Sequence, residues 1–129
     1  MKQIKKTTSA FFLLAATMGM HSANATSADD VRAGNEEAGH RAVAVKCLDK
    51  TSARDFIASS KSFVRKSFVN HAAVERLASA RPANFDDIAT LSNADCQDLR
   101  PQLQKLKQVR AEVDAQTEQM MTKFIKPAK

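Results

Sequence analysis

The chain has no tryptophan and no tyrosine, and it has only three glycines, three prolines and two cysteines among 129 residues. Without Trp or Tyr it has no aromatic platform of the kind that sugar-binding proteins use. It also lacks the Asn-Gly and Asp-Gly dipeptides that most strongly indicate a β-hairpin. Because glycine and proline are scarce, the usual breaks between short strands are missing, and the sequence predicts an all-α protein.

Several arrangements of catalytic residues are absent as well. There is no glycine-rich phosphate loop and no G-x-S-x-G nucleophile elbow. Ser59, Ser60 and Ser62 fall instead within a segment that is predicted to be helical. The sequence therefore predicts a protein that is not an enzyme and that has no cofactor.

The first 25 residues have the three parts of a secretory signal peptide. A basic start with Lys2, Lys5 and Lys6 precedes the apolar stretch 10–20, and Ala23-Asn24-Ala25 follows as a small-residue cleavage site. A membrane-spanning helix needs about 20 apolar residues, more than this stretch has. We therefore predict cleavage after Ala25, and a single helical domain over residues 26–129 in the periplasm or outside the cell.

Removal of the leader changes the charge of the protein. Residues 1–25 hold three of the 20 basic residues and none of the 14 acidic ones, so residues 26–129 carry a net charge of +3 rather than +6. Such a small, scattered excess does not form the basic patch that nucleic-acid binding needs. No nucleic-acid partner is predicted.

Cys47 and Cys96 are the two cysteines of the chain. An even number of cysteines in a small exported domain favours a disulfide. Their wide separation does not match the C-x-x-C spacing of redox-active pairs. We therefore predict one structural disulfide between Cys47 and Cys96.

Capping residues and apolar spacing predict a small bundle of three to four helices. The first helix is expected to start after Ser27 and to continue to about Lys50. A segment that resembles a capping box, Ser52-Ala-Arg-Asp55, begins a second helix that should end by Ala80. A short helix capped by Asn84 is expected next.

A long amphipathic helix completes the predicted bundle. Ser92-Asn93 is expected to cap it, and Pro101 is either a first-turn proline or the position of a kink. Its apolar residues repeat in alternating steps of four and three, which is the heptad spacing of a packed helix. The eight positions of this heptad seam are Leu99, Leu103, Leu106, Arg110, Val113, Thr117, Met120 and Phe124.

The heptad seam has two interpretations. It packs against the other helices of its own chain, or it projects beyond them and pairs with a partner protein or a second copy. The chain has few large apolar residues to cover the whole helix, which keeps the second interpretation open. Val113, Met120 and Phe124 are therefore the predicted partner-binding residues.

The function that these features favour is binding of another envelope or secreted protein, as an adaptor, inhibitor, immunity factor or chaperone. The alternative is a membrane-active or toxin-like factor, because the C-terminal segment is apolar and carries Lys123, Lys126 and Lys129. Such a segment can make weak contact with an anionic membrane surface.

Two carboxylate–histidine pairs are candidate metal or ligand sites. Glu37-x-x-His40 has the spacing found in di-metal helical bundles, and His71 lies four residues before Glu75. A di-metal site needs two Glu-x-x-His motifs and further glutamates, and the chain has one such motif. We therefore predict no metal site and interpret both pairs as solvated side chains of one helix face.

Overall fold

Helix is the only regular secondary structure in residues 26–125, the part of the chain that the computed structural model describes. The predicted all-α class is thus confirmed. The predicted signal peptide, Lys126 and Lys129 lie outside the described residues. The five helices of the described part are α1 (Ala28–Cys47), α2 (Lys50–Ser67), α3 (His71–Ala78), α4 (Phe85–Ala89) and α5 (Asn93–Ile125).

Helix α1 begins as predicted, whereas α2 begins three residues earlier than predicted. Ser27 caps α1, and its Oγ accepts a hydrogen bond of 3.0 Å from the Asp30 amide. Asp49 caps α2 by accepting a hydrogen bond of 3.1 Å from the amide of Ser52, the residue predicted to be the cap itself. Asp and Ser are comparable N-caps, so the earlier one can start the helix.

The predicted second helix is two helices, α2 and α3, separated by residues 68–70. Phe68 ends α2 in an extended conformation, and its ring packs edge-on against Phe63 with centroids 5.9 Å apart. After this break α3 points Val74 into the core, where it is fully buried. Because of this break, Phe68 and Val69 do not continue the face of α2.

Gly34 allows α1 and α3 to approach each other closely. A Cβ atom at Gly34 would lie 2.5 Å from Cβ of Leu77, closer than two carbon atoms can pack. Gly39, one turn further along α1, has no such neighbour within 4 Å. Only the first of these two glycines is therefore required by packing.

The core lies where α1, α2 and α5 meet. Ala44, Phe56 and Leu103 form a buried cluster, one residue from each helix. Val43, Leu48 and Leu106 are partly buried against this cluster. The core is small, so covalent and polar links between the helices matter for stability.

The predicted disulfide between Cys47 and Cys96 is present and joins residues 49 positions apart. It ties the last residue of α1 to the first turn of α5. Arg100, one turn further along α5, donates a hydrogen bond of 2.7 Å from Nε to the Cys47 carbonyl oxygen. The C-terminal end of α1 is therefore fixed to α5 by two separate contacts.

Helix α5 starts well before Pro101 and continues through it. Ser92 Oγ accepts from the Asp95 amide at 3.1 Å, and Asp95 Oδ2 accepts from the Ser92 amide at 3.0 Å, which is a reciprocal capping box. The predicted cap at Ser92 is therefore confirmed, and the alternative of Pro101 as a first-turn proline is wrong.

Candidate binding site on the long helix

The heptad seam of α5 changes surroundings halfway along the helix. Leu103 is buried, Leu106 is half-buried against the cluster that Leu103 forms with Ala44 and Phe56, and Leu99 is half-buried. Beyond residue 110 the same seam is exposed: the exposed fractions are 53% for Val113, 59% for Met120 and 82% for Phe124. The seam thus packs on its own chain in one half of the helix and is exposed in the other half.

Arg110 is the last seam residue that is held by the bundle. Its Nη1 donates to Glu37 Oε1 at 3.1 Å, and its Nη2 bonds to Glu37 Oε2. Its guanidinium group also lies 3.7 Å from the centroid of the Phe63 ring. Arg110 therefore links α5 to both α1 and α2, which fixes the register of the long helix.

Glu37 is a buried carboxylate with every contact directed into the bundle. Besides Arg110, it accepts a hydrogen bond of 2.6 Å from Ser60 Oγ, and its Oε2 lies 3.3 Å from His40 Nδ1. Burial alone raises the pKa of the Glu37 carboxyl, but the hydrogen bonds from His40, Arg110 and Ser60 outweigh burial and lower the pKa to about 2. Glu37 is therefore ionised at neutral pH.

A second buried arginine continues this polar network toward α3. Arg41 Nε donates to Ser60 Oγ at 2.8 Å, and its two Nη atoms donate to the Glu75 carboxylate at 2.7 and 2.9 Å. The hydrogen bonds from Arg41 lower the pKa of Glu75 to about 2, against the opposing effect of burial and with further help from Ser79. The chain of contacts thus joins α3, α1, α2 and α5.

The carboxylates considered as metal ligands are used within this network. Glu37 and Glu75 are each paired with an arginine, and the described residues contain no group of three or more His, Cys, Asp or Glu that could hold a metal ion. The interpretation of both pairs as solvated side chains is wrong for Glu37, which is buried. Its spacing to His40 reflects a contact inside the bundle.

The network does not resemble a nucleophilic relay. Ser60 is 1% exposed and donates its hydroxyl proton directly to Glu37, while His40 contacts the other oxygen of the same carboxylate. In a serine relay the histidine lies between the hydroxyl and the carboxylate. The arrangement therefore differs from a serine relay, and Ser60 links α2 to Glu37 and Arg41 of α1.

Residues 111–125 form what we call the projecting segment. Among residues 111–124 only Asp114 is half-buried and the others are exposed; Asp114 Oδ2 accepts from Lys66 Nζ at 3.2 Å near the end of α2. At 1.5 Å per residue the segment is about 20 Å long. Its apolar side, which we call the projecting face, consists of Val113, Met120 and Phe124, with Met121 at its edge.

The projecting face contains all three predicted partner-binding residues. Sequence reasoning identified these residues through the heptad spacing, but it missed the polar network that ends at Arg110. The partners in that network are up to 73 positions apart, so no local pattern reveals them. The one available indication was Arg110 itself, a charged residue at an apolar seam position.

Two further observations bear on the wider setting of the site. No helix among residues 26–125 is long and apolar enough to cross a membrane. Comparison of the chain with protein-family models, with curated proteins and with solved structures finds no match.

Proposed function

We propose that this protein is a small, exported, non-enzymatic helical protein that binds another envelope or secreted protein through its projecting face. The observation that carries the proposal is the exposure of Val113, Met120 and Phe124 on a helix that extends beyond its own bundle. Large apolar side chains that recur on one face of an exposed helix are the anchors used in helix-in-groove recognition.

The shape of the projecting face supports a protein as the partner. A single exposed helix is convex and cannot enclose a small molecule, whereas a groove on another protein can enclose it. Methionine, present at positions 120 and 121, adapts to differently shaped partner surfaces. Anchoring at Arg110 holds the segment in one position, which reduces the entropy lost on binding.

The proposed location outside the cytoplasm has two supports. The disulfide between Cys47 and Cys96 belongs to an oxidising compartment. Residues 1–25 supply a leader of the right composition. Intact-mass measurement of the full chain produced in its own host tests the leader, and the expected product begins at Thr26.

The binding experiment is affinity capture with the full chain, produced with its own leader, from an envelope extract of its host. The test variant carries Val113→Asp, Met120→Asp and Phe124→Asp. The matched control carries Ala111→Asp, Ala115→Asp and Thr122→Asp, which adds the same charge to the opposite, equally exposed side of the segment. Helical content and urea unfolding of each variant establish that it is folded.

The proposal predicts one stoichiometric protein that is captured by the native chain and by the control but is lost with the test variant. The captured protein is then purified and titrated against the native chain and both variants. Equal capture by all three chains would place the binding site elsewhere and contradict the proposal. A Cys47→Ser, Cys96→Ser chain shows whether binding needs the disulfide-linked fold.

The membrane-active alternative is retained because Lys123 lies between Met120 and Phe124 in the projecting segment. An apolar face with neighbouring lysines can adsorb to anionic lipid. Leakage of anionic vesicles at micromolar protein, abolished by changing Lys123, Lys126 and Lys129 to Glu, would favour this function. An absence of leakage would remove it.

A further inference from the structure

We propose that a second copy of this chain covers the projecting face when no partner protein is bound, with the two projecting segments side by side and antiparallel. This inference rests on the premise of the proposed function that the face is a docking surface. It adds the identity of one occupant and its orientation. Four features of the described residues support it: the direction of the face, the end of the bundle, the register and the flanking charges.

The first feature is the direction of the projecting face. Val113, Met120 and Phe124 continue the seam on which Leu103 and Arg110 contact the bundle. On a helix, positions related by alternating steps of four and three lie on one side. Whatever covers the projecting face must therefore lie on the same side of α5 as α1 and α2.

The second feature is that α2 ends at this level. Lys66, the next-to-last residue of α2, reaches Asp114. Helix α1 is antiparallel to α5, because its Cys47 is bonded to Cys96 and its Glu37 to Arg110. Residues 28–36 of α1 therefore continue past Arg110 toward the same end of the bundle, and they leave the projecting face exposed.

An exposed apolar residue marks this end of the bundle. Val69, directly after α2, is fully exposed, and the neighbouring Phe68 packs on Phe63, the ring that Arg110 covers. Apolar groups thus lie both along the projecting face and at the bundle end from which it extends. A helix that fills this corner covers both.

This geometry allows an antiparallel second copy and excludes a parallel one. In a parallel pair the two seams would face each other along their whole length, and both bundles would occupy the same space. In an antiparallel pair each projecting segment lies in line with α2 of the other copy, beyond the end of that helix. The pair then has the two-fold symmetry that is most common among homodimers.

The register of the two paired seams and the charges beside them also fit an antiparallel pair. Val113 of one copy faces Phe124 of the other and Thr117 faces Met120, and the two-fold axis repeats both contacts. Beside the two seams, Asp114 of one copy lies next to Met121 of the other, and Gln116 of one copy lies next to Lys123 of the other. Like charges therefore do not face each other across the pair.

The size of this contact determines its strength. Four layers of side chains along about 20 Å of helix bury less surface than a standard stable interface of about 1,600 Å². We therefore expect a dissociation constant on the order of tens of micromolar. A dimer of this strength protects the apolar face in the absence of a partner and can be displaced by one.

Sedimentation equilibrium of the full chain, oxidised and over roughly 5 to 500 µM, tests the dimer around the expected dissociation constant. The native chain should shift from monomer to dimer over this range, and so should the Ala111→Asp, Ala115→Asp, Thr122→Asp control. The Val113→Asp, Met120→Asp, Phe124→Asp variant should stay monomeric. A native chain that is monomeric throughout, or a test variant that still dimerises, would overturn the inference.

Cross-linking tests the orientation separately. A mixture of Val113→Cys and Phe124→Cys chains should form disulfide-linked heterodimers in excess over both homodimers. Homodimers linked at position 113 or at position 124 in excess would show a parallel pair and overturn the proposal. The native Cys47–Cys96 bond is checked by mass in every sample.

The two proposals fail in different ways. A monomeric native chain that captures a partner through the projecting face overturns the second-copy inference and supports the proposed function. A dimer that depends on the projecting face, combined with capture that does not depend on it, supports the inference and contradicts the proposed function.

Discussion

The two halves of the long helix α5 share one apolar spacing but differ in what surrounds them. In residues 93–110, Cys96 and Leu103 are buried, and Arg110 is held by Glu37. In residues 111–125 the seam residues Val113 and Met120 are more than half exposed. Periodicity predicts which side of a helix will be covered, and the length of the neighbouring helices decides how much of it is covered within the chain.

The boundary between the halves is chemical as well as geometric. Arg110 occupies a seam position where an apolar residue would suit a continuous coiled coil. Its pairing with Glu37 and its contact with Phe63 occur only at the correct register of α5 on the bundle. The Arg110–Glu37 pair therefore separates a half that is fixed by its own chain from a half that is exposed.

The largest expected effect comes from breaking the covalent anchor of the packed half. Replacing both Cys47 and Cys96 by Ser should lower the free energy of unfolding by about 4 kcal/mol, because the unfolded chain is no longer closed into a loop of about 50 residues. Urea unfolding followed by circular dichroism measures this change. A loss below about 1 kcal/mol would show that packing alone holds the first turns of α5.

The next largest loss of stability is expected when Arg110, at the boundary between the two halves, is replaced. Arg110→Ala leaves the buried Glu37 carboxylate without its cationic partner and should cost about 3 kcal/mol. The double change Glu37→Gln, Arg110→Met removes both charges and should recover much of that loss. Lys66→Ala, which breaks the exposed pair with Asp114, is the control and should change stability by less than about 1 kcal/mol.

A pair of matched truncations compares the halves directly. Leu103→Ala opens a cavity in the core and should lower the free energy of unfolding by about 2 kcal/mol or more. Phe124→Ala removes a larger side chain but should change stability by less than about 0.5 kcal/mol, since Phe124 is exposed. Both values come from the same urea titration. Similar losses at the two positions in the monomer would mean that the projecting face is covered within the chain.

The acid response of the polar network is the smallest effect, because it leaves stability near neutral pH unchanged. The pKa values of Glu37 and Glu75 are about 2 in the folded protein, against 4.5 ordinarily, so the unfolded chain binds more protons between these values. Their contribution to stability is therefore complete above about pH 5 and is lost as the pH falls toward about 2. Thermal unfolding between pH 7 and 3 measures this decrease.

Glu37→Gln provides the control for the acid response. The variant lacks one of the two groups that take up a proton on unfolding, so its stability should decrease less steeply below about pH 5. An identical slope in the variant and the native chain would show that Glu37 does not contribute to it.

Features that depend on local sequence could be predicted, except where two neighbouring residues are both suited to the same role. The caps at Ser27 and Ser92 follow from short-range chemistry and were predicted correctly. The start of α2 was predicted wrongly, because Asp49 and Ser52 are both suitable N-caps and the helix begins after Asp49, the earlier of the two. The disulfide was predicted because Cys47 and Cys96 are the two cysteines of the chain.

Long-range features could be predicted only in part. The heptad spacing identified Val113, Met120 and Phe124, yet it gave no measure of where the packed part of α5 ends. That limit coincides with the end of α2 and with the break at Phe68. Glycine has a low intrinsic helix propensity, yet the lack of a side chain at Gly34 allows the close contact with Leu77 of α3, which no local rule indicates.

The Cys47–Cys96 bond also determines how the protein responds to proteolysis. Helices α2, α3 and α4 all lie between the two cysteines, so a single cut within residues 48–95 leaves two fragments that remain covalently joined. The turn over residues 79–84, between α3 and α4, is such a site. A molecule nicked there keeps its mass, apart from one added water, until it is reduced, and its projecting segment stays attached to α1.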